Sequence, residues 1–221
     1  IFSDDTRDAI KGSVFIEEDP GFINGGKDLE AKVKSAVTAH CDRKKGFSPK
    51  GPGQIISYVS SHDNFTLWDK LLFTEKEKKE KINFFEDNED VKRLNKLAAA
   101  IYFTSLGIPF FQAGEEGART KRGIGDSYKS PVEVNQLSWK RIYAYKDLLD
   151  YYKGLIKIRK SFGAFDSRDI EILDNISFID TREKSVVAYE FKGNGDSMEP
   201  WEKLLIVYNA SEKDIFLKPH K

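Results

Sequence analysis

Two short apolar runs constrain this chain more than any other feature. QIISYVS occupies residues 54–60 and IPFFQ residues 108–112. Both are rich in β-branched or aromatic residues, which suits short buried strands. Each run leads into a polar cluster, SHDN at 61–64 and EEGARTKRG at 115–123. Between them, residues 86–107 carry Val91, Leu94, Leu97, Ala98, Ile101, Tyr102 and Leu106 on one stripe at helical spacing. Acidic residues open that stretch and Gly107 closes it, as a helix of this polarity requires. Strand, helix and strand in that order predict parallel pairing with a crossover helix. Polar residues just past the C-terminal ends of parallel strands are where α/β barrels keep their chemistry. Two or three such units cannot close a barrel by themselves, so an open sheet is the other outcome.

The flanking segments extend the pattern. Asp5 or Thr6 is placed to cap a short helix from about Arg7. KDLEAKVKSAVTAH has Leu29, Val33, Ala36 and Val37 at helical spacing. TLWDKLLF reads as a helical turn, and TEKEKKEK (74–81) as a solvated helix or loop. Residues 142–162 read as one long helix with Ile142, Tyr145, Leu148, Leu149, Tyr152, Leu155 and Ile156 on one side. After Gly163 the period changes. EILDNISFIDTR, SVVAYEFKG, LLIVYNA and DIFLK are strand candidates separated by turns, which predicts antiparallel β. The boundary falls near Ala164, dividing 1–164 from 165–221.

Charge and cysteine content exclude several function classes. Lys+Arg and Asp+Glu both total 36, so nothing electrostatic recommends nucleic acid or an anionic membrane as partner. Cys41 is the single cysteine, so no disulfide framework forms within the chain. The three histidines, His40, His62 and His220, have no zinc-ligand spacing, and adjacent His40 and Cys41 would face apart on a helix. No run of 18 apolar residues predicts a membrane span, and no signal peptide is seen, which leaves localisation open. Aromatic residues make up 13%, enough for both a packed core and a surface that stacks sugar rings. The first residue, Ile1, and the strand-like closing FLKPHK lead us to expect a piece of a longer protein.

Five strings in fixed order carry a resemblance. They are FSDDTRDAIKGSVF (2–15), YVSSHDNFTLWDKL (58–71), TSLGIPFFQAGEEGARTK (104–121), SYKSPVEVNQLSW (127–139) and YYKGLIKIRKSFGAF (151–165). Together they resemble the α-amylase superfamily of glycoside hydrolases, and within it the type I pullulanases, which cleave α-1,6 branch links. The resemblance implies an α/β fold, the C-terminal part of a (β/α)8 TIM-type barrel followed by an antiparallel β-sandwich, cut short here. The chain would start near barrel strand six, with 54–60 as strand seven and 108–112 as strand eight.

The chemistry follows from the reaction. Retaining glycoside hydrolysis needs a carboxylate nucleophile and a carboxylic acid/base. The resemblance puts those two after strands four and five, and no GFRFD-like or GEPW-like string occurs in these residues. The segment alone is therefore expected to be inactive. Asp63 matches the third carboxylate, which the family places after strand seven as a transition-state stabiliser. An ionised Asp held against two sugar hydroxyls strengthens its hydrogen bonds as oxocarbenium charge develops, worth roughly 3–4 kcal/mol. His62 matches a histidine that bonds the same sugar. Asn64 would support them, although Asp63 and Asn64 also suit a plain turn or cap. Arg119 matches an arginine near the cleft, with an ion pair to Glu115 or Glu116 as the plainer alternative. Glu116 is expected to bond loop amides. Asp126, Tyr128 and Asn135 lie in a loop resembling the outer subsites, while Trp68 and Trp139 read as core.

Four departures from the family pattern bear on subsites: Ser60, Phe65, Gly117 and Val132. The implied partner is an α-glucan such as pullulan, amylopectin or a limit dextrin. No cofactor is implied; calcium occurs in parts of the superfamily, but no clear oxygen-ligand cluster stands out here. Two alternatives remain, an isoamylase or other α-glucan hydrolase, and a glucan-binding segment without catalysis. A part-barrel would also expose strand edges and apolar faces, so poor solution behaviour is expected of the segment alone.

Overall fold

The computed structural model describes residues 1–44, 48–75, 82–195 and 200–217. The charge run at 74–81 lies beyond Glu75 outside the described residues, as do His220 and the rest of the closing FLKPHK beyond Leu217.

Three chain segments lie side by side in parallel. Phe2 bridges Ile56, and β1 (Ile56–Ser57) pairs with β2 (Ile108–Pro109), setting Ile56 opposite Ile108. Backbone bonds of 2.8–3.0 Å join Ser3 N to Ile56 O, Ile108 N to Ile55 O and Phe110 N to Ser57 O. The paired segments are shorter than the apolar runs predicted. Pro109 has no N–H for a ladder, and past Ser57 the polar groups turn to loops. Gly107 enters β2 at φ +92, and a Cβ there would sit 2.9 Å from Ile55 O, so this tight entry needs glycine. Phe2, Ile108 and Phe110 stay partly exposed along this small sheet.

A helix follows each parallel segment. After residues 1–3 comes α1 (Asp4–Lys11), capped by Ser3, whose Oγ accepts from Thr6 N at 3.1 Å. Ser3 takes the cap role expected of Asp5 or Thr6; those two lie inside the first turn, where Asp5 suits the helix dipole. α2 (Glu30–Val37) buries Val33, Ala36 and Val37, as its spacing predicts. α3 (Leu67–Phe73) follows β1 and is capped by Thr66. α4 (Glu89–Thr104) is capped by Asn88, and Val91, Ala98, Ile101 and Tyr102 face the core.

The long helix expected over 142–162 is broken. A short α5 (Val132–Asn135) precedes α6 (Trp139–Ala144) and α7 (Lys146–Ser161). Tyr145 leaves helical geometry between the last two (φ −98, ψ 42). Its ring is held edge-on to Trp68 at 5.3 Å, with the Arg141 guanidinium 4.7 Å above it. That tertiary anchoring overrides the helical spacing. Trp68 is buried as expected, whereas Trp139 is 66% exposed at the start of α6.

The closing residues form an antiparallel sheet in the order β3 (Ile176–Ile179), β4 (Val186–Lys192), β5 (Lys203–Asn209). Residues 171–175, expected to start a strand, lie in a 3₁₀ turn (Ile170–Asn175) that buries Ile172. DIFLK is not a strand over its described residues. Asn209 Oδ1 accepts from Ser211 N at 3.0 Å and turns the chain away after β5. β4 buries Val186 through Tyr189 without alternation, because both its faces are covered. Tyr189 donates to Thr104 O at 2.6 Å, and Tyr208 shares a 2.6 Å bond with Thr104 Oγ1, so the sheet docks on the end of α4. One apolar cluster runs from Ile10 and Val59 through α4 to Phe191 and Tyr208. Beside this junction, Arg159 of α7 ties the turn after α4 to the stretch after α7, donating to the carbonyls of Phe103, Ser105, Gly107 and Phe165 at 2.6–3.0 Å. No described helix is long and apolar enough to cross a membrane.

Candidate active site

Beyond β1 the chain runs through buried Val59 and Ser60 and then emerges. His62 and Asp63 stand on this loop with side chains 89% and 73% exposed, and His62 Nε2 lies 3.2 Å from Asp63 Oδ2. Both are free to meet a ligand. Asn64 takes the left-handed conformation at φ +60, which Asn tolerates better than most side chains, so its first role is to turn the loop. Phe65 then packs edge-on against Phe73 at 4.9 Å and lies close to Gly125.

The loop after β2 is fastened to this one by two buried charges. Asp69 of α3 is fully buried and accepts from Thr120 Oγ1 at 2.5 Å, Lys121 N at 2.8 Å and Gly123 N at 3.2 Å. Burial pushes its carboxyl pKa up, and those donors oppose the shift. Lys121 is 1% exposed and donates to His62 O and to Gly125 O, each at 3.3 Å. Burial lowers its pKa, while the carboxylates of Asp69, Asp63 and Asp126 act to raise it. One ammonium thus ties the His62–Asp63 loop to the Gly125–Asp126 loop and sits in the field of both exposed aspartates.

Beneath the loops is a second polar centre. Glu115 is buried and accepts from Ser60 Oγ, from Tyr102 Oη at 2.8 Å and from Tyr152 Oη at 2.9 Å. The same Tyr152 hydroxyl, with one proton to give, also lies 2.8 Å from Asn95 Oδ1, so the two oxygens share it. Burial raises the Glu115 pKa against those three hydrogen bonds. Ser60 thus meets a carboxylate already supplied by Glu115. At the neighbouring loop Tyr58 donates to Asp4 Oδ1 at 2.6 Å and accepts from Arg7 at 3.0 Å. Burial, first, and the Asp4 bond push its hydroxyl up to about 12, while Arg7 acts to lower it.

The remaining candidates separate into two groups. Asp126 and Tyr128 are exposed on the loop that Lys121 fastens. Asn135 is committed internally: its amide donates to Ser127 O at 2.7 Å and its oxygen accepts from Ser127 Oγ at 2.8 Å. Arg119 makes no ion pair with Glu115 or Glu116 among the described residues. It donates to Ala113 O at 3.0 Å and Asn135 O at 2.5 Å, and lines a cavity that neither His62 nor Asp63 reaches. Glu116 accepts from Gly114 N at 2.9 Å, the loop-amide role its position predicts. Among the described residues no three His, Cys, Asp or Glu side chains gather as a metal site.

Sequence reasoning passed over Asp69, Lys121 and the supporting part of Glu115. Thr66-x-x-Asp69 spells a helix cap, and that ready explanation hides the carboxylate's second task. Lys121 closes the matched string GEEGARTK, and its burial depends on a contact 59 residues away.

The chain matches no family model. It is 32% identical to the pullulanase of Bacillus subtilis over 97% of its own length and 29% of that enzyme's. The crystal structure of apo pullulanase from Paenibacillus barengoltzii superposes with a TM-score of 0.85, at 36% identity, over 96% of this chain and 31% of that one. The same enzyme solved with maltohexaose and α-cyclodextrin gives 0.83 over 96% and 32%. The chain therefore spans about three tenths of the relatives it matches. Over nearly its whole length, in sequence and in fold, it is homologous to one segment of the pullulanases.

Proposed function

We propose that this chain supplies the last part of a (β/α)8 barrel, residues 1–164, and the start of a C-terminal β domain, residues 165–221, in a debranching glycoside hydrolase. Three observations support the reading: three parallel segments in register, a helix after each, and polar loops at one end. The observation that carries it is the pullulanase homology across 97% of the chain.

In this reading Asp63 is the stabilising carboxylate and His62 a hydrogen-bonding partner of the same sugar. Their exposure leaves both free for hydroxyls, and the Lys121 tether holds their loop still. Preorganisation of that kind lets an ionised carboxylate favour the transition state without moving at the moment of reaction. Asp126 and Tyr128 extend the cleft along the adjoining loop. Asn64, Arg119 and Asn135 shape the loops. The nucleophile and the acid/base would come from elsewhere in the complete protein.

The test uses the complete natural protein that contains these residues. It should release reducing sugar from pullulan faster than from glycogen. The reverse order would favour an isoamylase-like enzyme. No release from either would leave glucan binding as the function. The 221 residues alone should hydrolyse neither.

A further inference from the structure

A cavity of about 590 Å³ opens between the 114–122 loop, Phe85 and α6. Four cations line it, Arg119, Arg122, Lys140 and Arg141, against two carboxylates, Asp87 and Glu133. Four less two leaves two more cations than carboxylates in the lining; Asp69 and Glu116 act on the arginines from outside it. Asp87 is already engaged, 3.3 Å from Lys92 Nζ and hydrogen-bonded with Tyr145. Glu133 is exposed.

None of the arginines pairs directly with a carboxylate among the described residues, although Asp69 and Glu116 act on Arg119, and Asp69 and Asp87 on Arg141, from a distance. Arg119 gives two donors to carbonyl oxygens, and its buried Nε has no acceptor among the described residues. Arg141 donates to Ala118 O at 2.6 Å, Phe85 O at 3.3 Å and Phe84 O at 3.4 Å, all uncharged. Arg122 lies 5.7 Å from the Phe85 ring centre, and Arg141 lies 5.9 Å from the same centre. None of the three has a salt bridge among the described residues. Burial, outweighing nearby carboxylates, lowers the proton affinity of Arg119 and Arg141. Partly buried guanidinium charge without a directly bonded counter-ion is costly. A fork of guanidiniums fits tetrahedral oxyanions, which accept in parallel pairs.

We propose that this cavity binds a phosphate group, either free phosphate or the phosphomonoester of a small sugar. A dianion suits a lining in which cations outnumber carboxylates, and the volume leaves room for a sugar beside the phosphate. Phe85, 58% exposed at the wall, gives a ring face for it. The site is separate from the His62–Asp63 loop and does not depend on the glucan reading.

Isothermal titration of the complete protein tests this with inorganic phosphate, glucose 6-phosphate and glucose. The two phosphate compounds should bind and glucose should not. Equal affinity for both identifies free phosphate as the ligand, and tighter binding of the ester identifies the phosphomonoester. Arg122→Gln should weaken binding about tenfold, and Glu133→Gln should tighten it; both side chains are exposed, so the fold should survive. Asp63→Asn should leave it unchanged. No heat from either phosphate compound at millimolar concentration would overturn the proposal. So would glucose binding as well as its phosphate, or indifference to both Arg122→Gln and Glu133→Gln.

Discussion

Ser60 donates its hydroxyl to the buried carboxylate of Glu115, so the end of one parallel strand is bonded to the loop that follows the next. Two tyrosines complete the same carboxylate from α4 and α7. Glu115→Ala would leave the Ser60 and Tyr102 hydroxyls without their acceptor, at roughly 1–3 kcal/mol each before relaxation, while Tyr152 keeps Asn95 Oδ1. A loss of about 3 kcal/mol or more is expected from urea unfolding of the complete protein. Ser60→Ala should cost only about 1 kcal/mol, because the tyrosine bonds remain. Equal losses for the two variants would contradict the shared-acceptor arrangement.

Lys11 predicts a rise of stability with pH. Burial pulls its amine down to about 7 from 10.5, although Glu115 acts to raise it. Between those values the folded amine has lost its proton and the unfolded one keeps it. Raising the pH through that window therefore favours folding. Lys70, lowered by burial to about 8, adds to the same slope. Lys11→Met should flatten the rise between pH 7 and 9 and add stability at pH 7, up to about 4 kcal/mol. Unfolding free energies measured at several pH values decide this, and an unchanged slope would remove Lys11 as its source.

Arg159 predicts a large cost for losing one buried guanidinium. Its guanidinium is held by four backbone carbonyls, and burial lowers it to about 10. Arg159→Met should destabilise by at least about 3 kcal/mol, since those carbonyls lose their donor. Arg159→Lys should recover only part of that loss, because one ammonium cannot span the same fork. Thermal unfolding of both variants checks the order.

Asp69 predicts local loosening. Removing its carboxylate frees the amides of Lys121 and Gly123. In Asp69→Ala those two amides should exchange hydrogen at least about tenfold faster, while α4 keeps its protection. Native-state hydrogen exchange reads this directly.

Much of the scaffold is legible in the sequence, and the reason is local. The stripe from Val91 to Tyr102 repeats at helical spacing, and Asn88 caps the helix in the way its side chain favours. The apolar run around β1 buries Ile55, Tyr58 and Val59, as its composition suggests, whereas the run around β2 leaves Ile108 and Phe110 partly exposed. What is hidden depends on distant partners. Tyr145 breaks a helix because Trp68, 77 positions earlier, holds its ring. Lys121 is buried because it reaches the carbonyl of His62. At the candidate site, the family pattern pointed to Asp63 and His62, whereas nothing local to Asp69 marks it as the anchor of the opposite loop.

The central claim is that Asp63 stabilises the transition state of glycosidic cleavage. The decisive measurement is pullulan turnover and maltooligosaccharide affinity in the complete protein, before and after Asp63→Asn. Removing one preorganised charge should lower kcat by about 10²–10³-fold while affinity changes little. Unchanged kcat in a folded Asp63→Asn enzyme would contradict the account.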